Sequence, residues 1–283
     1  MEKPDVREAI ANVRNLPTLP TLLGQILVTA LDPDSSALDL GRYIAADQSL
    51  SATLLKVVNS AYYGFYRQIT SVTTAIVILG FNEVRNLVLT ASAFRAFPKG
   101  GTSYERVQLW RHSLAAAIAT ERTAKLLALD VEGTFVSGLL HDIGKVALDT
   151  LYPEIFREAV QKSHDEAVPL AEAEAFYFDL DHAEIGGLLA EHWNMPAPIV
   201  DAVRNHHDPG AASEAPQLAY LTSLGNFLTY QCDLGESGNG ASPDLPDGSR
   251  AGCAVTEPQW SQVCESLEGA KERIDELLGI MAA

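Results

Sequence analysis

Cysteine is scarce in this 283-residue chain, which has only Cys232, Cys253 and Cys264. The three are scattered, so they form no close pair of the kind that binds zinc, and their odd number argues against a disulfide framework. Such usage is typical of a reducing cytoplasm. We therefore expect a cytoplasmic protein in which the cysteines have no chemical role.

Long apolar runs are also missing. None reaches the roughly 18 to 20 residues that a membrane-spanning helix needs, and the first five residues, MEKPD, do not begin a secretory signal. We expect no membrane association. With 47% hydrophobic residues, the chain can still bury one large core or two packed subdomains.

Positive charge is in short supply. Twenty Lys and Arg face 37 Asp and Glu, which gives a net charge of -17. Because this charge repels a phosphate backbone, we expect no non-specific binding of nucleic acid.

Apolar residues recur at helical spacing almost throughout, whereas strand-like alternation is missing. We therefore predict an all-α fold. In the first third we expect helices at about residues 20–30, 47–58, 71–79 and 82–97, with Ser36 or Asp39 capping one more. Further helices are expected at about residues 104–127, 130–140, 143–152, 153–162, 169–178, 181–193, 196–205 and 215–230.

The composition changes at two places. Pro98–Thr102 separates an N-terminal subdomain, residues 1–98, from a second one, residues 103–232. Residues 233–257 are rich in Gly, Pro, Ser and Asp, which predicts a flexible surface loop. Residues 258–283 are predicted to form one amphipathic helix that packs back on the protein.

Five of the seven histidines, together with one aspartate, form the most informative pattern. A helical chain can bring them together, and His with Asp suits one or two ions of zinc, iron, nickel or manganese. Asp142 directly follows His141, so it can bridge two ions while the histidine serves one. The predicted ligands are His112, His141, Asp142, His182, His206 and His207. His164 looks like part of a solvated helix end, and His192 is expected simply to pack.

The surroundings of the His-Asp pair support this interpretation. The preceding stretch from Val136 is strongly apolar, so Asp142 is expected in the interior, where an unpaired carboxylate is unfavourable and a metal would compensate it. Lys145 places a cation beside the site, where it could hold a phosphate oxygen.

Residues 139–147, LLHDIGKVA, resemble the HD superfamily of metal-dependent phosphohydrolases. Three N-terminal motifs narrow the resemblance to the HDOD domain, a bacterial signalling relative: LPTLPTLLGQI at 16–26, IAADQSLSATLLKVVNS at 44–60 and ITSVTTAIVILG at 69–80. The resemblance runs from about residue 10 to about 230. It implies a multi-helix HD-like bundle packed on an N-terminal helical subdomain, and a regulatory role without an established general catalytic activity.

The chain departs from the active relatives at three points. Gln108 stands one turn before His112, where related HD-GYP proteins can carry a Glu ligand. The late Asp of HD enzymes is missing, and only Ser223 or Asn226 is available in its place. No Gly-Tyr-Pro motif follows His207, so hydrolysis of cyclic-di-GMP is a minority hypothesis.

Two functions remain. The favoured one is a signalling module whose pocket senses a metal, a nucleotide or other phosphate ligand, or a protein partner. The alternative is a metal-dependent phosphohydrolase acting on a nucleotide, cyclic dinucleotide or small phosphoester. In that case Asp142 and Lys145 would be catalytic, and Lys145, Arg111 and Arg204 would bind the phosphate.

The aromatic segment Tyr62–Tyr66, YYGFY, is a separate feature. We interpret it as a packing seam, with a partner-binding surface as the alternative.

Overall fold

The computed structural model describes residues 3–12, 36–96, 106–241 and 255–281, together with residues 24, 26, 244, 245, 248 and 253. These residues form helices and turns and contain no strand, which confirms the all-α prediction. In chain order the α-helices are α1 (Val6–Asn12), α2 (Ala37–Ala46), α3 (Gln48–Val58), α4 (Val72–Leu79), α5 (Phe81–Ala96), α6 (Arg106–Leu126), α7 (Thr134–Leu140), α8 (Ile143–Leu151), α9 (Pro153–Glu166), α10 (Leu170–Phe178), α11 (His182–His192), α12 (Ala197–Arg204), α13 (Pro216–Gln231), α14 (Glu257–Glu268) and α15 (Lys271–Met281). A short 3-10 helix, Pro209–Ala211, follows α12.

The chain divides into two compact units. The larger unit consists of Met1–Leu16 and Lys99–Ala270, and the smaller unit of Pro17–Pro98 and Lys271–Ala283. This division differs from the one predicted from composition, because the N-terminal residues 1–16 belong to the larger unit and the C-terminal residues 271–283 belong to the smaller one. Helix α1 packs on α11 in the larger unit, and α15 packs on α3 in the smaller one.

The smaller unit shows why its sequence forms helices where predicted. Ser36 begins α2 with a capping box that includes Asp39, and Asp47 begins α3 by accepting a hydrogen bond from the Leu50 amide at 2.8 Å. Ser71 caps α4 through the Thr74 amide at 3.1 Å. Helix α4 forms despite its β-branched residues and ends at Gly80, whose φ of 86° favours glycine. The predicted helix at 20–30 lies almost wholly outside the described residues.

The larger unit is built around α6, its longest helix at 21 residues. Helix α6 carries small buried side chains that let neighbouring helices pack close to its backbone: Ala115 to Ala117 and Ala119. Helices α7 and α13 pack closely against it, while α11 packs on both α8 and α12. These contacts bring the ends of α7, α11 and α12 to one place in the core.

The single C-terminal helix that we predicted is two helices. Helix α14 ends at Glu268, and α15 begins at Lys271, with Gly269 and Ala270 between them. The Ala270 amide bonds to the Leu267 carbonyl at 2.9 Å, which closes a tight turn after α14. The amphipathic pattern continues across this break because Leu267 and Ile274 are both fully buried, each in a different unit.

No helix in the described ranges is both long and apolar enough to cross a membrane.

Candidate metal centre

The six predicted ligands lie together in the larger unit. His112 is in the middle of α6, His141 and Asp142 join α7 to α8, and His182 is the first residue of α11. His206 and His207 follow the end of α12. Their ligand atoms form two groups that could each hold an ion, His112 with His141 and Asp142, and His182 with His206 and His207.

The Asp142 carboxylate stands between the two groups. Its Oδ2 lies 3.6 Å from His112 Nε2 and 3.5 Å from His141 Nε2. Its Oδ1 lies 3.2 Å from His182 Nε2 and 3.9 Å from His206 Nε2. Each carboxylate oxygen therefore faces a different pair of imidazoles, which is the arrangement that a bridging ligand needs.

Local hydrogen bonds aim the imidazoles into the cluster. His141 Nδ1 donates to the Gly138 carbonyl at 2.8 Å, and His206 Nδ1 donates to the Val203 carbonyl at 2.8 Å. Because a carbonyl can only accept, a neutral ring keeps its lone pair on Nε2. Such bonds to the distant nitrogen are typical of metal-ligating histidines.

The donor set fits a metal ion. His206 Nε2 is buried and has no hydrogen-bond partner among the described residues, a state that is unfavourable for a polar atom. His112 and His141 bring their Nε2 atoms within 3.2 Å of each other, and His182 and His207 bring theirs within 2.8 Å. Two lone pairs so close together require a proton or a cation between them. Imidazole nitrogen and carboxylate oxygen suit zinc, iron, nickel or manganese.

Glu174 on α10 supports the second group, and no signal in the sequence pointed to it. Its Oε2 accepts from His182 Nδ1 at 2.6 Å and from the His182 amide at 2.7 Å, so it fixes both the ring and the start of α11. Burial opposes charge on the ring, yet the Glu174 and Asp142 carboxylates together outweigh burial and raise the pKa of His182 to about 9. The metal-free ring is therefore protonated at neutral pH, and it can donate from Nε2 to His207.

The other four histidines of the cluster are neutral at pH 7. Burial lowers the pKa of His112 and of His141 to about 4, against the opposing pull of Asp142. Burial and the neighbouring His141 lower the pKa of His206 to about 3, and burial holds the pKa of His207 well below its ordinary value. These four rings are in the form that binds metal, so only His182 must lose a proton before it can do so.

Asn226 on α13 occupies the place expected for the late aspartate. Its Oδ1 lies 3.0 Å from His112 Nε2, while the other residue considered, Ser223, is buried nearby on the same helix without a hydrogen-bond partner for its hydroxyl among the described residues. The first group thus has an amide oxygen where the resemblance to HD enzymes implies a carboxylate. An amide oxygen lacks the charge of a carboxylate and binds a divalent cation more weakly.

Lys145 is fully enclosed, at 1% exposure. Its Nζ donates to Asp142 Oδ2 at 2.9 Å and to Ser237 Oγ at 2.8 Å. Burial favours the neutral amine, but Asp142 together with Tyr230 and Glu174 outweighs it, so the pKa of Lys145 is raised above its ordinary value. The pKa of Asp142 lies well below its own ordinary value despite burial, because His141 and Lys145 stabilise the carboxylate. The predicted phosphate-binding cation is therefore already paired with a ligand carboxylate.

Residues 234–240, which we call the cover segment, lie over this pair. We had predicted a flexible surface loop here. These residues are irregular, but part of the segment is buried and not at the surface. Leu234 is fully buried, Ser237 is 1% exposed, and Asn239 Oδ1 accepts from the Leu170 amide at 3.0 Å. The hydrogen bonds come from helices far away in sequence, which composition does not reveal.

The remaining predicted residues lie elsewhere or at the edge. Arg204 pairs with Glu191 at 2.9 Å and packs against Gly187. Arg111 is half-buried next to His112. Of the two histidines outside the set, His164 is exposed as expected, whereas His192 is exposed where packing was expected.

Comparison with known proteins identifies the family. The HDOD domain family profile matches residues 16–209. The chain belongs to the HDOD domain family. An uncharacterised protein of Treponema pallidum is 30% identical over 221 residues, 76% of this chain, and this HDOD chain spans only 42% of that relative's length.

Solved structures share the fold. An HDOD domain protein with unknown function from Geobacter sulfurreducens is 26% identical with a TM-score of 0.71, covering 98% of this chain and 95% of its own. A candidate phosphohydrolase from Shewanella amazonensis has a TM-score of 0.77 at 20% identity and covers 99% of both chains, which shows a common fold.

Proposed function

We propose that this HDOD protein is a signal-transduction module whose buried pocket binds one or two transition-metal ions, and that metal occupancy controls its association with a protein partner. The observation that carries the proposal is the combination of a complete histidine set with its enclosure. His112, His141, His182 and His206 are at most 1% exposed, and Asp142 is 2% exposed. Such a pocket can hold ions but offers a phosphoester poor access.

The coordination supports binding more than hydrolysis. Bound ions would supply Lewis acidity and a more acidic water. Asn226 leaves the first group without its second carboxylate, and Lys145 is engaged by Asp142 and Ser237. Both features lower the electrostatic advantage that a hydrolytic site needs.

The smaller unit offers a surface for a partner. In the aromatic segment, Tyr66 is fully exposed and Tyr62 and Phe65 are 44% and 38% exposed. The neighbouring Tyr63 is held in place by a hydrogen bond, because its hydroxyl donates to Glu83 Oε1 at 2.5 Å. Exposed aromatics on a rigid base are typical of interaction sites. This favours the partner-binding alternative over the packing seam.

A metal-dependent phosphohydrolase is the second candidate. It is favoured by the retention of all five histidines and the bridging Asp142, a set that metal binding by one ion alone would not require. In this case the cover segment would have to move before a nucleotide or other phosphoester could reach Lys145.

One pair of measurements separates the two functions. The protein, loaded with zinc or manganese in turn, is assayed with nucleotides, cyclic dinucleotides and small phosphoesters, and its hydrogen exchange is compared with and without metal. The regulatory function predicts changed exchange and no turnover above background. Turnover that is abolished in both Asp142→Ala and Lys145→Ala would establish the hydrolase instead.

A further inference from the structure

The cover segment is held by contacts on several sides. The Gly240 amide donates to Ser163 Oγ at 2.9 Å, at the end of α9, and Asn239 bonds to the start of α10. At the other end, Gly235 lies directly on α6: a Cβ on it would come within 2.7 Å of the His112 backbone nitrogen. The segment is therefore seated on a ligand-bearing helix.

Ser237 makes the central contact. Its Oγ accepts from Lys145 and also bonds to the Tyr230 hydroxyl, which in turn accepts from Asn239 Nδ2. The Tyr230 ring lies 4.8 Å from the His112 ring, centroid to centroid. A continuous hydrogen-bonded chain thus runs from Asp142 through Lys145 and Ser237 to Tyr230.

The position of Ser237 Oγ has a chemical meaning. A lysine ammonium has three donors, and Lys145 directs one to Asp142 and one to an oxygen of the cover segment. The serine oxygen stands where the anionic oxygen of a ligand could sit, next to the cluster that binds cations. An oxyanion at that position and the cover segment therefore compete for the same N–H donor of Lys145.

We propose that the cover segment is an autoinhibitory latch, with Ser237 as its catch, and that phosphate-type oxyanions bind Lys145 only when the latch opens. This rests on the proposed function for the oxyanion step, since bound metal ions would supply much of the positive charge. The latch itself depends only on the hydrogen bonds and packing of the metal-free chain.

The first test is hydrogen exchange of the cover-segment amides in metal-free protein. Ser237→Ala removes the catch and should increase their exchange about tenfold, because a hydrogen bond to a charged group is lost. Gly235→Ala should do the same by a different route, since its φ of +132° and the 2.7 Å contact both reject a Cβ. Unchanged exchange in both variants would overturn the latch.

Two matched controls accompany these variants. Ser213 is an exposed serine of the same unit, and Gly210 has only ordinary contacts for an added Cβ, at 3.6 Å or more. Ser213→Ala and Gly210→Ala should exchange like the unmodified protein. If they accelerate as much as the latch variants, the effect is general loosening and the proposal is wrong.

The second test is calorimetric binding of inorganic phosphate to zinc-loaded protein. Ser237→Ala should bind phosphate at least about tenfold more tightly than the unmodified chain, and Ser237→Ala combined with Lys145→Ala should lose that gain. Equal binding by all three would remove the oxyanion step while leaving the exchange result intact. If the unmodified chain does not hold zinc, the proposed function is contradicted. The exchange test on metal-free protein would still show whether the cover segment is a latch.

Discussion

The Asp142 carboxylate is the residue on which the site depends. It is surrounded by four imidazole nitrogens within 3.9 Å and by the Lys145 ammonium at 2.9 Å. In the metal-free chain, the charges of Asp142 and Glu174 are balanced by Lys145 and the protonated His182, so the buried site is close to neutral. An unbalanced buried charge would be strongly destabilising.

At Asn226 we predict that a carboxylate strengthens metal binding. Asn226→Asp places a charged oxygen beside His112 Nε2, now 3.0 Å from the amide oxygen. Zinc affinity should rise about tenfold to a hundredfold, as expected when a ligand contact is improved. Without metal, the added carboxylate is unfavourable, so the metal-free melting temperature should fall.

Competition with a chromophoric chelator measures the affinity. Asn194→Asp makes the same change at an exposed position away from the ligands and should leave zinc affinity unchanged. Equal affinities for Asn226→Asp and the unmodified protein would show that Asn226 is not at a ligand position.

His182 predicts a pH dependence of the metal-free protein. Its pKa of about 9 lies above the ordinary value of about 6.5, so the bond to Glu174 stabilises the fold fully below about pH 6.5. This stability is lost as the pH rises through about 9. Melting temperatures measured in chelator should therefore decline between pH 7 and 9.5, while zinc affinity rises because His182 loses its proton.

Glu174→Gln provides the control for this pH effect. The amide cannot hold the charge on His182, so the decline with pH should largely disappear. A decline of the same size in this variant would assign the effect to another group.

The sequence indicated which residues cluster in the candidate site but not which residues support them. The five histidines and Asp142 were found because their residue types are rare and their chemistry is specific. Glu174 was missed, and Ser237 was predicted to lie in a loop, because neither carries a distinctive signal. Ser237 lies 92 residues from Lys145, a contact that only the tertiary structure creates.

Among the elements, α8 and α11 must approach each other closely for Asp142 to reach His182. Gly144 permits this approach: a Cβ at this position would come within 2.0 Å of the His182 carbonyl oxygen. Because the obstacle is backbone, it cannot move aside like a side chain. Gly144 thus sets the spacing between the two candidate ligand groups.

Gly144→Ala should therefore separate the two helices. We predict a loss of about 3 kcal/mol or more in the free energy of unfolding, at the upper end for overpacking, together with weaker zinc binding. Chemical denaturation gives the first quantity and chelator competition the second. Gly279→Ala, where nothing lies within 4 Å, should be neutral or slightly stabilising. Stability and zinc affinity matching the unmodified protein in Gly144→Ala would contradict the close approach.

Helices were largely predictable from the sequence because their signals are local. Caps at Ser36, Asp47, Ser71 and Asp181 fix where helices begin, and each is seen to accept the expected backbone hydrogen bond. The cover segment and the break after α14 were not predicted. Composition describes what a segment does alone, whereas both features depend on which distant helices it meets.

Over the whole molecule, most of the net negative charge lies outside the buried candidate metal site. The net charge of -17 is carried mainly by exposed carboxylates, while the buried ligand cluster is balanced internally. An acidic surface attracts divalent cations and disfavours phosphate-bearing ligands at a distance. This agrees with the proposed metal binding and with the proposed shielding of Lys145 from oxyanions.

The division into two units could be predicted only in part. The break near residue 98 has a local signal in Pro98–Thr102, and it agrees with the start of the larger unit's main part at Lys99. No such signal shows that α1 belongs to the larger unit and α15 to the smaller one. Their apolar faces indicate that each packs against another helix, but they do not indicate which helix that is.

Metal content is the measurement that tests the account most directly. The protein, purified without added metal and desalted, is analysed for zinc, iron, manganese and nickel beside its His141→Ala and Asp142→Ala variants. The account predicts one or two ions per unmodified chain and a marked loss in both variants, since Asp142 faces both ligand groups. Substoichiometric metal that is the same in all three proteins would contradict it.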